Sequence, residues 1–182
     1  MKLDLNEIKR ILKGFLIILL VGNVTGCSIA PSASEMIPDN LSFVKHYPYT
    51  VSLDIKGDEG DWSAGTLISS VDLEAAIETS ITQSGVFSKV IQGSGADYRL
   101  TVEADATTPV AGFDMTVTVG GTWRLIKVST NKVIMDEFVT TSHTATIGDA
   151  FIGMMRLKLA VAGAAKKFVA EGMRRLSSVP RI

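Results

Sequence analysis

The chain contains 182 residues, of which 46% are hydrophobic and 20% are charged, and its formal net charge at pH 7 is −1. This length is enough for one domain with its own hydrophobic core, and no change in composition along the chain indicates a second. The near-neutral charge argues against nucleic-acid binding, which requires a basic surface. Cys27 is the single cysteine, so the chain cannot form an intramolecular disulfide.

Residues 1–26 have the organisation of a secretory signal peptide. Basic side chains at positions 2, 9, 10 and 13 precede an apolar run at residues 15–21. This run fits the apolar core of a signal peptide and is shorter than the roughly 20 residues that a membrane-spanning helix needs. Small and polar residues then lead to Cys27.

The segment Val24-Thr25-Gly26-Cys27 resembles the lipobox of bacterial lipoproteins, in which a branched apolar residue and two small residues precede a cysteine. The resemblance implies cleavage between Gly26 and Cys27, diacylglycerol on the Cys27 thiol and an N-acyl chain on its amino group, with no other cofactor. Two or more acyl chains hold a protein firmly in a membrane, because each buried methylene contributes about 0.8 kcal/mol. Ser28, where some lipoproteins have aspartate, implies the periplasm-facing outer membrane. There are two alternatives. The chain could be an ordinary secreted protein with an incidental cysteine, or residues 1–26 could be a short membrane anchor that is not cleaved.

Residues 27–48 contain prolines and serines without periodicity, which predicts a lipidated cysteine followed by a flexible tether. The periplasmic domain is then expected at residues 49–178. Cleavage would remove four basic and two acidic side chains from the 18 and 19 in the chain, leaving 14 basic and 17 acidic residues, a net charge of −3.

The domain begins with alternating polar and apolar residues at 50–56, which predict a strand. A helix is expected next, with Ser69 or Ser70 as its N-cap and Gly85 as a left-handed C-cap. One face of this helix is apolar or small and should be buried: Leu73, Ala76, Ile77, Ser80 and Ile81.

Three further strands are predicted. Alternation from Tyr98 to Ala104 predicts the second, ending near Pro109, and residues 113–128 predict a longer third strand with Phe113 on its apolar face. Gly120 and Gly121 interrupt the third strand, which indicates a bulge or a close backbone approach. A turn at residues 129–132 should lead to a returning strand at 132–145.

A long helix is predicted at residues 149–177, with Asp149 as its cap. Its core-facing stripe is expected to contain Leu157, Val161, Ala165, Phe168 and Gly172, broadened by Met155, Leu159, Ala162, Val169, Met173 and Leu176. Small residues at 160–165 would let this helix lie close to a sheet. The basic side chains at 156, 158, 166 and 167 argue against a second membrane span, because each costs about 2.5–3.5 kcal/mol at the bilayer centre.

These elements predict one α+β domain of order β-α-β-β-β-α, with a four-stranded mixed or antiparallel sheet and two helices on one face. The other face must then contact solvent or a partner. Thr116, Thr118, Thr122 and Arg124 have the alternate parity of the long strand, so we expect Thr116, Thr118 and Arg124 in a partner surface. Trp62, in an acidic loop, is either an interaction anchor or a cover over the sheet edge.

This order, after a lipobox and a tether, is similar to that of small periplasmic lipoproteins. They include the auxiliary lipoproteins of ABC-type transporters, the lipopolysaccharide-assembly lipoprotein and polysaccharide-export lipoproteins. The phrases S-G-V-F-S-K-V and A-D-Y-R-L-T-V are also similar to those families, over about residues 49–178. The resemblance implies an accessory of assembly or transport and no catalytic residues.

Signals for catalysis or metal binding are weak. His46 and His143 lie in no metal-ligand spacing, and acylation would block the one thiol. The acidic residues Asp54, Asp58, Glu59 and Asp61 lack the order of a calcium loop, which favours a solvated loop. We therefore expect a protein that is not an enzyme and has no metal.

The sequence favours a lipid-anchored accessory protein that binds a protein partner in an envelope complex. The first alternative is a homo-oligomeric ring of an export system, in which the sheet edges of neighbouring copies meet. The second is an envelope hydrolase, whose cleft would have to contain His143.

Overall fold

The computed structural model describes residues 29–42, 45–58, 67–108 and 113–180. They form an α+β fold with a mixed sheet, as predicted. The elements in chain order are α1 (Ala33–Met36), β1 (Tyr47–Lys56), α2 (Ser70–Ser84), β2 (Phe87–Val90), β3 (Tyr98–Thr107), β4 (Met115–Lys127), a 3₁₀ turn (Val128–Thr130), β5 (Lys132–Ala145) and α3 (Gly153–Ser178).

The sheet has five strands in the order β2-β1-β3-β4-β5 within the described residues, so the predicted count of four strands is wrong. The additional strand is β2, which pairs in parallel with β1 at one edge. Its four residues are too few to show the alternation by which strands are recognised. β1 and β3 are also parallel, whereas β3-β4 and β4-β5 are antiparallel.

The helix α2 confirms its prediction at both ends. Ser69 is the N-cap and its hydroxyl accepts a hydrogen bond from the Asp72 amide, while Gly85 ends the helix with a left-handed φ of 64°. The five residues predicted to face the core are all buried: Leu73, Ala76, Ile77, Ser80 and Ile81.

The helix α3 begins at Gly153, and its N-cap is Ile152, so the prediction of Asp149 as the cap is wrong. The Asp149 carboxylate instead accepts hydrogen bonds from the amide and hydroxyl of Thr146, 2.7 and 2.8 Å away, and closes the preceding turn. Within the described residues, no helix is both long enough and apolar enough to cross a bilayer.

The stripe of α3 is buried as predicted from Val161 to Leu176, except that Ala162 is only half-buried, and it differs from the prediction in the first turns. Met155 and Leu159, which were expected inside, are 50% and 41% exposed. Arg156 takes the inward position, because its guanidinium donates to the carbonyl oxygens of Ala150 and Phe151. The small centre of α3 lies close to the sheet, and a Cβ at Gly163 would overlap the His143 ring.

The N-terminal segment differs from the flexible tether expected at residues 27–48. Met36 is fully buried in the core, and Ile29, Ala33, Ile37 and Leu41 pack against it. α1 has a capping box in which the Ser32 amide donates to the Glu35 carboxylate at 2.8 Å. This segment therefore covers part of α2 and α3, because its apolar residues complete the core. The third helix also corrects the predicted number of two.

The β4-β5 hairpin shows which explanation of the glycine pair is right. The register is continuous through Gly120 and Gly121, and the irregularity lies instead between Leu125 and Ile126. A Cβ at Gly121 would overlap the carbonyl oxygen of Glu103 on β3, so the pair marks a close backbone approach. The strand begins at Met115, and Phe113, expected on the apolar face, is 82% exposed.

Candidate functional site

No element among the described residues covers the face of the sheet opposite the helices. We call this face the open face. It contains the even-numbered positions of β4, opposite in parity to the buried Val117, Val119 and Trp123. The residues on β4 and β5 that form it are Thr116, Thr118, Gly120, Thr122, Arg124, Asp136, Phe138, Thr140, Ser142 and Thr144.

Polar side chains on the open face pair across neighbouring strands. The hydroxyls of Thr116 and Thr144 are 2.7 Å apart, and Arg124 donates to the Asp136 carboxylate at 3.1 Å. Lys56 and Glu103 form a third cross-strand pair at 3.2 Å. Exposed pairs of this kind contribute about 0–1 kcal/mol each, so they order the side chains more than they stabilise the fold.

A depression of about 480 Å³ lies on the open face around Gly120. The Phe138 ring forms one side of it and is 65% exposed, and its edge approaches the position that a Gly120 Cβ would take to 3.2 Å. Lys56, Glu103 and Asp105 contribute charges to the lining, and Thr118, Thr122 and Thr140 contribute hydroxyls. The missing side chain at 120 therefore creates a recess with an aromatic wall and a polar rim.

The structure places three of the predicted partner-surface residues together on β4. Thr116 and Thr118 are half-buried, and Arg124 is exposed at the other end of the same row. Trp62, Gly26 and Cys27 lie outside the described residues, so the predicted lipidation, cleavage and tryptophan sites stay predictions.

Sequence reasoning missed Gly120 and Phe138 as parts of the recess. Phe138 shares the even parity of β5 with Asp136 and Thr140, which both face away from the helices. That parity was the available signal. It was obscured because apolar Val133, Ile134 and Met135 at the start of β5 occupy both faces.

The two histidines are on opposite edges of the sheet. His46 Nδ1 is 2.8 Å from the carbonyl oxygen of Gly85, beside β2, whereas His143 lies on β5 against α3. Asp54 and Asp58 of the acidic cluster are described, while Glu59 and Asp61 lie outside the described residues. In the part of the chain that the structure describes, no group of three His, Cys, Asp or Glu side chains is arranged to hold a metal ion.

A second unusual surface lies at the end of the sheet where β4 begins and β5 ends. Several large apolar side chains are exposed there, on the loops and on the first turn of α3: Phe113, Ile147, Phe151, Ile152, Met154 and Met155. We call these six residues the apolar end. The sequence signal for this surface is the pair Phe151-Ile152 close to the pair Met154-Met155. Because the long helix was predicted to start at Asp149, all four residues were expected to be helical.

Solved structures of bacterial proteins share this fold. A minor lipoprotein from Acinetobacter baumannii aligns with a TM-score of 0.54 at 14% identity, over 73% of this chain and 93% of that chain. Uncharacterized lipoprotein B from Nitrosomonas europaea aligns at 0.54 and 10% identity, over 76% of this chain and 88% of that chain. A Xanthomonas campestris protein of family DUF330 aligns at 0.54 and 12%, over 72% and 87%.

At these identities the similarity shows a common fold and nothing finer. No protein-family model matches the chain, and no curated protein matches it. The chain therefore has a fold that occurs in bacterial lipoproteins.

Proposed function

We propose that this chain is a lipid-anchored accessory protein of the cell envelope that binds a protein partner through its open face. The main supporting observation is the recess at Gly120. An exposed aromatic ring beside a backbone without a side chain gives a partner both an apolar contact and access to a depression. The paired hydroxyls and charges around it form a polar rim of the kind found at protein interfaces.

The proposed anchor is diacylglycerol on Cys27, with an acyl chain on its amino group. It is supported by the lipobox resemblance of residues 24–27 and by the fold shared with bacterial lipoproteins. We further propose that the protein lies on the periplasmic side of the outer membrane. This location is supported by Ser28, which follows the lipobox cysteine where some lipoproteins have aspartate. The proposed role is binding without catalysis.

A second candidate is a ring of identical copies, and one observation favours it. β5 is a 14-residue edge strand that pairs only with β4 within the described residues. An edge of this length exposes a row of backbone donors and acceptors that another chain can pair with. In this candidate the strand edge, not the open face, contacts the neighbouring copy.

Site-specific photocrosslinking in living cells tests the proposal. A benzophenone amino acid at Thr118 is expected to give a crosslinked product with a second protein. The matched control is the same group at Gln83, an exposed position at the C-terminal end of α2. A product at the mass of two copies of this chain would show that the open face contacts a second copy and not a different protein, and equal, weak crosslinking from both positions would refute a specific open-face interaction.

A further inference from the structure

The apolar end is formed where three elements meet. Met115 at the start of β4 pairs with Ala145 at the end of β5, and the Met115 methyl group approaches Gly153, the first residue of α3. The loops that lead into and out of these elements expose Phe113 and Phe151, which are 82% and 89% exposed. A cluster of exposed large apolar side chains indicates a surface that contacts something other than water.

The loop that contains Phe151 is held in place from inside the protein. The Arg156 guanidinium, which is buried, donates from Nη1 to the carbonyl oxygens of Ala150 at 2.8 Å and Phe151 at 2.7 Å. The Asp149 carboxylate accepts from the amide and hydroxyl of Thr146 on the other side of the loop. These bonds fix the backbone so that Phe151 points away from the core.

The N-terminal segment leads toward this same end of the molecule. Its ionic and polar contacts advance along α3: Glu35 pairs with Lys158, Asp39 with Lys166, and Lys45 with the carbonyl oxygen of Val179. The chain preceding Glu35 therefore lies toward the start of α3. Ile29, the first described residue, still packs against the core, and Cys27 precedes it in the sequence by two residues.

From this arrangement we propose that the apolar end rests on the bilayer in which the acyl chains of Cys27 are inserted, with Phe151 and Ile152 at headgroup depth. The inference rests on the proposed lipid anchor. It commits to a lipid surface because a lipidated Cys27 would hold this end, and not another, against the membrane. Exposed apolar side chains near an acylated residue give the protein a second contact with the membrane, in addition to the acyl chains.

The proposed orientation also has a consequence for the open face. β4 begins at the apolar end and β5 returns to it, so their long axes would point toward the membrane. The open face would then be directed sideways into the periplasm, where a partner can reach it.

Cysteine labelling of the processed full-length protein tests this inference. Phe151→Cys and Ile152→Cys replace exposed side chains, and Gln83→Cys, at the opposite end of the sheet, is the control. Each variant is purified from membranes and reconstituted into vesicles of phosphatidylethanolamine and phosphatidylglycerol. It then reacts with a water-soluble maleimide, and its labelling rate is normalised to the extent reached in SDS. We expect positions 151 and 152 to react about tenfold more slowly than position 83, because headgroups shield them from water.

The controls separate failure of this inference from failure of the anchor. The wild-type protein has only Cys27, so its labelling would show a free thiol and would refute the anchor together with the inference. An unlabelled wild type with equal rates at 151 and 83 would refute the inference alone. Slow labelling at position 151 in native membranes, but not in vesicles that contain this protein alone, would show that another protein covers the apolar end. That result would also refute the inference.

Discussion

Gly172 of α3 lies against the indole ring of Trp123 on β4, and a Cβ at position 172 would overlap the ring atoms Cε2 and Cζ2. Trp123 is fully buried, and its ring also contacts Phe168, with the two centroids 5.7 Å apart. The absence of a side chain at 172 therefore allows the helix to approach the widest side chain in the core.

Gly172→Ala should destabilise the protein by about 2 kcal/mol, because the new methyl group must displace the indole in a close-packed core. The gain of about 1 kcal/mol from alanine's higher helix propensity is too small to compensate. Urea denaturation measures the difference. Gly153→Ala is the control, since its Cβ would be 3.6 Å from the flexible end of Met115, and it should leave the midpoint nearly unchanged. An equal effect of the two substitutions would contradict the packing described.

Met36→Ala should lower the free energy of unfolding by about 2–4 kcal/mol, because it leaves a cavity beneath the N-terminal segment. Met154→Ala replaces an exposed methionine and should change stability by less than about 0.5 kcal/mol. The two midpoints in urea give the comparison. If Met36→Ala were as neutral as Met154→Ala, residues 32–42 would be a tether, as the sequence suggests, and not part of the core.

The elements with a strong local pattern were predictable. α2 has a capping serine, an apolar face and a terminal glycine, and all three features have the predicted positions. The returning strand β5 has the predicted bounds despite its mixed parity. The burial of Met36 was not predictable, because a short segment with prolines and serines has no periodicity, and its contacts with α2 and α3 are all distant in sequence.

The candidate site was predictable only in part. The parity of β4 placed Thr116, Thr118 and Arg124 on the open face, because alternation fixes which side chains share a face. The recess depends on Gly120 lying beside Phe138, which requires the register of two strands. The inward position of Arg156 depends on two loop carbonyls, and no helical periodicity contains that information.

Glu171 should stabilise the protein at neutral pH and lose this effect in acid. A hydrogen bond from Arg174, assisted by Arg175 and opposed by partial burial, lowers the pKa of Glu171 from 4.5 to about 2. Because the folded state holds the carboxylate more strongly than the unfolded state does, the stabilisation is complete above pH 4.5 and is lost as the pH falls toward 2.

Glu171→Gln should therefore cost about 1 kcal/mol at pH 7 and almost nothing near pH 2, after allowance for solvent screening of a partly exposed network. Thermal or urea unfolding of the wild type and of Glu171→Gln across this pH range measures the difference in their free energies of unfolding. The contributions of the other carboxylates cancel in this difference. Glu74→Gln on α2, outside the network, is the control. A cost independent of pH would show that the Glu171 network has no electrostatic role.

Phe138→Ala should weaken partner crosslinking from position 118 by about tenfold if the recess is an interaction site, because exposed aromatic rings at interface centres contribute most of the binding energy. Its effect on stability should stay below about 1 kcal/mol, since the ring is mostly exposed. Val133→Ala, another exposed apolar position on β5, is the control. Unchanged crosslinking in Phe138→Ala would show that the partner does not bind at the recess.

The intact mass of the protein extracted from membranes tests the anchor most directly. The proposal requires a chain that begins at Cys27 and is heavier than its amino-acid sequence by one diacylglyceryl and one acyl group. Cys27→Ala should lack both groups and leave the membrane fraction. An unmodified 182-residue chain of 19.5 kDa, or a processed chain without lipid, would contradict the lipid anchor and the membrane orientation inferred from it.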